Sequence, residues 1–301
     1  MGDTLMLLPS LVQLCGKALC TFVGRRPGLD FIREFVHQDF NIETAGWHRL
    51  FMKSPDEQSL PAQRADLVLA FFTQQAADIS DNLKVFFPHV PVHVFPSVSP
   101  EGSGLHMSRY LAECLKSAGL PVDPDRAVQN AILRPLFGNS PQSIARSRII
   151  FHPGSGDPRK NHPPDLWLKL LEEFGHENLN HGMVETILLG PAEELLVEFF
   201  REKQPSRKIE KAFCPDKDDL MQLLREAALY VGHDSGMTHL AAMMGTPTVA
   251  LFRISDVRQW RPLGPRVKII DGSKTDSRLI EKILGVSRDL MAEQTPGAKT
   301  S

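Results

Sequence analysis

The stretch "ALYVGHDSGMTHLAAMMGTPTVALF", residues 228–252, decides the fold. An apolar run stops at Gly232, His233 and Asp234 follow, Ser235 and Gly236 open a segment of small residues, and a second apolar run begins after Pro247. Short apolar runs bounded by turn residues read as strands buried on both faces, the mark of a parallel sheet covered by helices. The small-residue segment between them supplies the crossover helix. A helix start carries free N–H groups and a partial positive charge, and the small side chains of Ser235 and Gly236 leave those groups open to an anion.

Working outward, the same alternation fills the second half of the chain. "RIIFHPGSG" from Arg148, a helix at 164–175, "VETILLGP", a helix near 193–203, "KIEKAF" and a helix at about 217–227 all precede the opening stretch. Strand and helix at this spacing predict a doubly wound domain over 148–301. In the first half, "ALCTFVG" (18–24), "ADLVLAFF" (65–72) and "VPVHVFP" (90–96) read as strands. "LHMSRYLAECLKSAGL" reads as a helix with Leu111, Leu115 and Ala118 on one face and Gly119 as its stop. Residues 121–147, rich in Pro, Ser, Asn and Arg, read as a linker, so the first domain spans 1–134. The fold class is α/β, with two Rossmann-like domains.

The chain has 301 residues, 42% of them hydrophobic and 23% charged, values that suit a soluble globular protein large enough for two cores. Lys and Arg number 34 against 36 Asp and Glu, and a formal charge of -2 gives no electrostatic case for nucleic acid. Cys15, Cys20, Cys114 and Cys214 are scattered, with no zinc spacing, and read as reduced thiols. No apolar run approaches the ~20 residues needed to span a bilayer, and "MGDTLMLLPS" lacks the basic region of a signal peptide, so a cytoplasmic location is expected.

Ligands of open α/β sheets sit beyond the carboxyl ends of the strands. At the first such end, Asp234 is open to two readings, as a ligand contact or as the cap of the helix it precedes, and His239 reads as packed within the domain. At the second, "IIFHPGSGDPRKNHPPDLW" runs from a strand ending at His152 through a Pro-Gly-Ser-Gly turn to Pro163, which can open a helix. Bare amides, the Ser155 hydroxyl and the Lys160 ammonium together suit a diphosphate, although the turn is neither a Walker A loop nor a full dinucleotide fingerprint. At the third, "ILLGPAEELL", Glu193 or Glu194 either accepts hydrogen bonds from ribose hydroxyls or simply favours the helix dipole. Gly2 and Asp3 precede an N-terminal apolar helix, where an Asp is ordinarily a cap. "DPD" (123–125) and "DKD" (216–218) match a metal-holding pattern of sugar transferases, but they read as solvated or capping carboxylates, and no metal cofactor is expected.

These residues together resemble glycosyltransferase family 9, the ADP-heptose:lipopolysaccharide heptosyltransferase type. "DSGMTHLAAMMGTPTVALF" is similar to the family's Asp-Ser/Thr-Gly-x-x-His-Leu-x-Ala signature running into a strand, and "HPGSGDPRKNHPPDLW" to its Pro-Gly turn followed by Lys. "GDTLMLLPSLVQL" is similar to its N-terminal Gly-Asp loop and helix, and "LHMSRYLAECLKSAGL" to the helix that closes its first domain. The resemblance implies the GT-B fold, two Rossmann-like domains facing a cleft, and an inverting sugar transfer. It implies that Ser155 and Lys160 meet the diphosphate of a nucleotide sugar, that Glu193 or Glu194 meets the ribose, and that Asp234, Ser235, Gly236, Met237 and His239 lie at the sugar and phosphates. Asp3 would be the general base and Lys160 would stabilise the leaving group. The implied donor is an ADP-sugar and the implied acceptor is the lipopolysaccharide core or another surface glycan, met peripherally at the inner face of the cytoplasmic membrane.

The sequence departs from the family pattern in three places. No hydrophobic strand precedes Gly2-Asp3 here, and an upstream in-frame segment of roughly ten residues is expected to carry it. His162 stands where the family usually has Trp, and "LFRISDVRQW" puts Arg253 and Val257 where glycine and proline usually shape a loop. Two further readings compete with transfer: a non-catalytic nucleotide-sugar-binding homologue, and a sugar-nucleotide epimerase of the same fold.

Overall fold

The computed structural model describes residues 1–53, 59–62, 64–138, 146–176, 182–203 and 209–293. The chain divides into two compact units, Asp3–Gln129 with Met1 and Asn130–Ser301 with Gly2. The first contains α1 (Gly2–Leu14), β1 (Thr21–Gly24), α2 (Gly28–Ile32), β2 (Gln38–Asn41), β3 (Val68–Phe71), α3 (Ala76–Phe86), β4 (Val92–Phe95) and α4 (Met107–Ser117). α5 (Pro124–Leu133) carries the boundary between the units, so the polar segment 121–147 holds a ten-residue helix. Its residues 139–145 lie outside the described residues.

In the first unit β1 pairs parallel with β2, and β3 pairs parallel with β4, as two separate ribbons. A small core of Trp47, Leu50, Leu60, Ala70, Ile79, Leu83 and Phe87 gathers side chains from both, including Val23, Phe40, Val68 and Val92. Most strand residues here are only half-buried. α1 is buried almost all round, from Leu5 through Leu11 and at Leu14.

The second unit is built on one sheet. β5 (Arg148–His152), β6 (Val184–Leu189), β7 (Glu210–Phe213), β8 (Ala227–His233), β9 (Thr248–Phe252) and β10 (Val267–Asp271) are all parallel and lie in the order β10-β9-β8-β5-β6-β7. Counted from the start of the unit, that order is 3-2-1-4-5-6, the doubly wound arrangement. The crossovers are α6 (Pro164–His176), α7 (Glu194–Glu202), α8 (Lys217–Glu226), α9 (Gly236–Met243) and the short α10 (Val257–Trp260), and α11 (Ser277–Ala292) follows the last strand. β8 and β9 are buried at every residue, which explains their unbroken apolar sequence.

Alternate strand residues Ile149, Phe151, Ile187, Leu229, Val231, Val249 and Leu251 pack on the apolar stripe of α6 (Leu166, Trp167, Leu170, Leu171, Phe174) and on Ile283 and Leu284 of α11. Tyr230, of opposite parity, donates or accepts a 3.2 Å hydrogen bond with Thr238 of α9 on the other face. α9 stops at Gly245, whose φ of +76° suits a residue without Cβ, and the amides of Gly245 and Thr246 close on Ala242 and Ala241. Phe174 is fully buried and meets Phe151 edge-on at 5.1 Å. Phe174→Ala is expected to destabilise the unit by about 3–5 kcal/mol, measured as a drop in the denaturant midpoint of its unfolding transition.

Candidate functional site

In the 3-2-1-4-5-6 order the strand sequence reverses between β5 and β8, and the crevice beyond their carboxyl ends is where such sheets bind ligands. The two strands end level, with His152 beside Gly232. From β5 the chain enters the Pro153-Gly154-Ser155-Gly156 turn, and from β8 it passes through His233 and Asp234 into α9.

Asp234 is the centre of the site. Its side chain is 5% exposed and receives the Lys160 ammonium at 2.6 Å, while His239 Nε2 lies 3.6 Å from its other oxygen and the Ser255 side chain also favours its charged form. Burial pushes this carboxyl up, but the donors of His239, Lys160 and Ser255 outweigh it and hold the pKa at about 2. The helix cap is Ser235 instead, whose hydroxyl accepts from the Thr238 amide at 3.4 Å, so capping does not account for Asp234. Thr238 in turn donates its hydroxyl proton to the His233 carbonyl, which locks the turn from strand to helix. Ser235, Gly236 and Met237 are half-open, and the Gly236 and Met237 amides stand at the helix start, where no preceding turn offers an acceptor.

The loop from Ser155 to Pro163 wraps around Lys160. Ser155, 5% exposed, directs its hydroxyl at the Asp157 carbonyl (2.8 Å) and Asn161 Oδ1 (2.6 Å), so it shapes the loop from within. Asp157 accepts from the Arg159 amide and holds the Arg159 guanidinium by two nitrogens. Glu193 is 6% exposed and takes the Gly190 amide at 2.6 Å, whereas Glu194 is exposed at the first position of α7. Of the two acidic candidates, burial therefore turns Glu193 toward the interior. A Cβ added to Gly154 would come within 2.1 Å of the Glu193 side chain, so only glycine lets the two strand ends approach this closely.

Asp3, by contrast, is carried in the first turn of α1 in the other unit, exposed. The cap there is Met1, without a side-chain hydrogen bond, so Asp3 is not the cap. The two Asp-x-Asp motifs do cap helices: Asp123 accepts from the Arg126 amide and Asp216 from the Asp219 amide. Among the described residues no group of three or more His, Cys, Asp or Glu side chains is arranged to hold a metal ion.

Three buried histidines next to the loops of the ion pair, His152, His162 and His233, have contacts that were not readable from spacing. His162 stacks on His233 at 5.0 Å, its backbone amide donates to His233 Nε2 at 3.0 Å, and its Nε2 donates to the Gly272 carbonyl at 2.7 Å. A Cβ on Gly272 would meet the His162 ring at 2.7 Å, so these two positions require each other. Trp167 meets His233 edge-on at 5.1 Å. Burial lowers all three imidazoles, with His152 brought down to about 4, and keeps them neutral.

The sequence pattern described as glycosyltransferase family 9 (heptosyltransferase) matches residues 103–282. Against curated proteins no match is found. Among solved structures the chain is similar to a family 9 glycosyl transferase from Veillonella parvula DSM 2008, with a TM-score of 0.67 and 15% identity over 97% of this chain and 94% of that one. It is also similar to the E. coli ADP-heptose lps heptosyltransferase II (TM-score 0.67, 15% identity, 98% and 96% covered). A third is E. coli heptosyltransferase WaaC with ADP (TM-score 0.62, 16% identity, 95% and 96% covered). At such identities the likeness speaks for the fold, which is α/β of the GT-B type.

The neutral histidines link stability to pH. Unfolded, an imidazole takes its proton near 6.5; in the folded unit His152 does so only near 4, so its contribution is complete above 6.5 and is lost as pH falls toward 4. That amounts to roughly 3 kcal/mol for His152. Asp234 acts lower, its contribution present above about 3.8 and lost toward 2. Melting at pH 8 and pH 5 should show a drop that shrinks in His152→Gln. An unchanged drop in that variant would remove His152 as its source.

Proposed function

The chain belongs to glycosyltransferase family 9 and is a glycosyltransferase, and on that premise we propose that it transfers, with inversion, a heptose or related sugar from an ADP-sugar to the lipopolysaccharide core or another surface glycan. The observation that carries the reading is the switch point, where an ion-paired lysine and an open helix start meet beyond two level strand ends. Lys160 spends one of its three N–H donors on Asp234 and offers the others to a diphosphate. The Gly236 and Met237 amides offer theirs from the helix start. Glu193 is the ribose acceptor in this reading and Ser155 fixes the loop at the phosphates, with Ser235 and His239 completing the donor seat. The heptosyltransferase solved with ADP supports the adenine nucleotide, and the ADP-heptose lps heptosyltransferase supports the sugar and the acceptor class.

In the reaction Asp3 takes the proton of the acceptor hydroxyl as its oxygen attacks the anomeric carbon. The bond from that carbon to the diphosphate oxygen breaks with its electron pair on oxygen, and Lys160 and the helix start meet the charge that develops there. No metal takes part in this scheme. Among the described residues no helix is long and apolar enough to cross a membrane. Arg25, Arg26 and Arg33 are each paired with acids, at 3.5 Å to Glu43, 3.4 Å to Asp30 and 3.0 Å to Asp39, so they offer a membrane surface little unspent charge.

Calorimetric titration with ADP, UDP and GDP tests the donor. ADP alone is expected to bind, and Asp234→Ala, which leaves Lys160 and His239 without the partner that positions them, is expected to weaken binding at least tenfold, the lost positioning outweighing the ammonium it releases. A folded chain that binds none of the three would sink the reading. Where transfer is assayed, Asp3→Ala is expected to lose roughly 100-fold or more in kcat with little change in ADP affinity, and an unchanged rate would strip Asp3 of its role.

A further inference from the structure

We infer that Arg253 is a donor-binding residue whose guanidinium meets the diphosphate as a second cation beside Lys160. The inference rests on the nucleotide-sugar reading above and adds to it a residue that occupies one of the chain's departures from its family's pattern.

The argument begins with which cations near the switch point are already paired. Lys160 stands 2.6 Å from the buried Asp234 carboxylate, Arg159 is held by Asp157 at 2.7 Å, and Arg258 lies 3.5 Å from Asp256. Arg253 makes no ion pair among the described residues. With Lys160 offset by Asp234, the pair is close to neutral, and a shared ammonium and the helix-start amides are left to hold a doubly charged group. An unpaired guanidinium alters that balance.

Its position fits. Arg253 is the residue after β9, the strand next to β8, so it leaves the sheet on the same carboxyl edge as Asp234. Its Nη1 donates to the Asn161 carbonyl at 2.6 Å and points toward the Arg159 carbonyl at 3.4 Å, the two carbonyls that flank Lys160 in sequence. The guanidinium therefore lies against the loop that presents Lys160, and it is half-buried, where charge is less screened than at the surface. One nitrogen is occupied by the loop. Nη2 and Nε have no protein partner among the described residues, and a planar fork of free N–H donors matches two phosphate oxygens. Two residues on, the Ser255 side chain favours the charged form of Asp234, which agrees with the segment after β9 lying at the site.

A brace that merely held the loop would need the hydrogen bonds to the carbonyls and no charge, which separates the two roles. Arg253→Gln keeps an N–H donor and removes the charge; Arg253→Lys keeps the charge. ADP affinity is expected to fall roughly 10- to 100-fold in Arg253→Gln and to recover in large part in Arg253→Lys, while adenosine binds all three forms alike. Arg253→Gln binding ADP as tightly as the unsubstituted chain would overturn the inference and leave the donor reading standing. An unsubstituted chain that binds no nucleoside diphosphate would overturn both. Should the glutamine variant fail to fold, a crystal structure of the unsubstituted chain with ADP decides: Nη2 or Nε within about 3.2 Å of a phosphate oxygen supports the inference, and a guanidinium turned away refutes it.

Discussion

A single buried carboxylate, that of Asp234, organises the ligand end of the second unit. An ion at 4% exposure is unfavourable unless its partners are close and numerous. Those partners come from three different strand ends: Lys160 from the loop after β5, His239 from the helix after β8, and Ser255 from the segment after β9. Fastened to one charge, all three hold a common geometry, and the demand of the carboxylate for donors is what sets it.

The surroundings keep that charge isolated. His152, His162 and His233 are held neutral by burial, so none of these imidazoles competes with Lys160 for the carboxylate. Glycines set how closely the pieces approach: at 154 the chain must admit Glu193, and at 272 it must admit His162. The substitution of an imidazole for the family's usual indole at 162 is consistent with this, since the ring has to donate to the Gly272 carbonyl and lie flat on His233.

The strand-turn-helix-strand unit at 227–252 was legible because strands covered on both faces must be apolar throughout, and a helix squeezed between buried strands must be small. β2 was not legible: Gln38–Asn41 is polar, short and half-buried, and carries no alternation. The helix inside 121–147 was hidden by its prolines and polar residues, although Pro124 is well suited to begin a helix. At the site, residue types were readable and roles were not. Glu193 and Glu194 are equivalent on paper, and only burial tells them apart. Arg253 reaches a carbonyl 92 positions away, a relation that no local spacing encodes.

The paired state of Lys160 bears on how the proposed transfer would be helped. Asp234, held near 2, is ionised at neutral pH and shares the Lys160 ammonium with whatever the site binds. A diphosphate in the ground state competes for the ammonium against a fixed negative charge and gains only part of its attraction. As the bond to the sugar breaks, the leaving oxygen gains charge while Asp234 does not, and the balance of the shared cation shifts toward the phosphate. Interactions that strengthen only as charge develops lower the barrier, whereas those equally strong beforehand only tighten binding. On this reading the buried carboxylate does two jobs: it positions the cation, and it holds back the part of its attraction that the transition state can use.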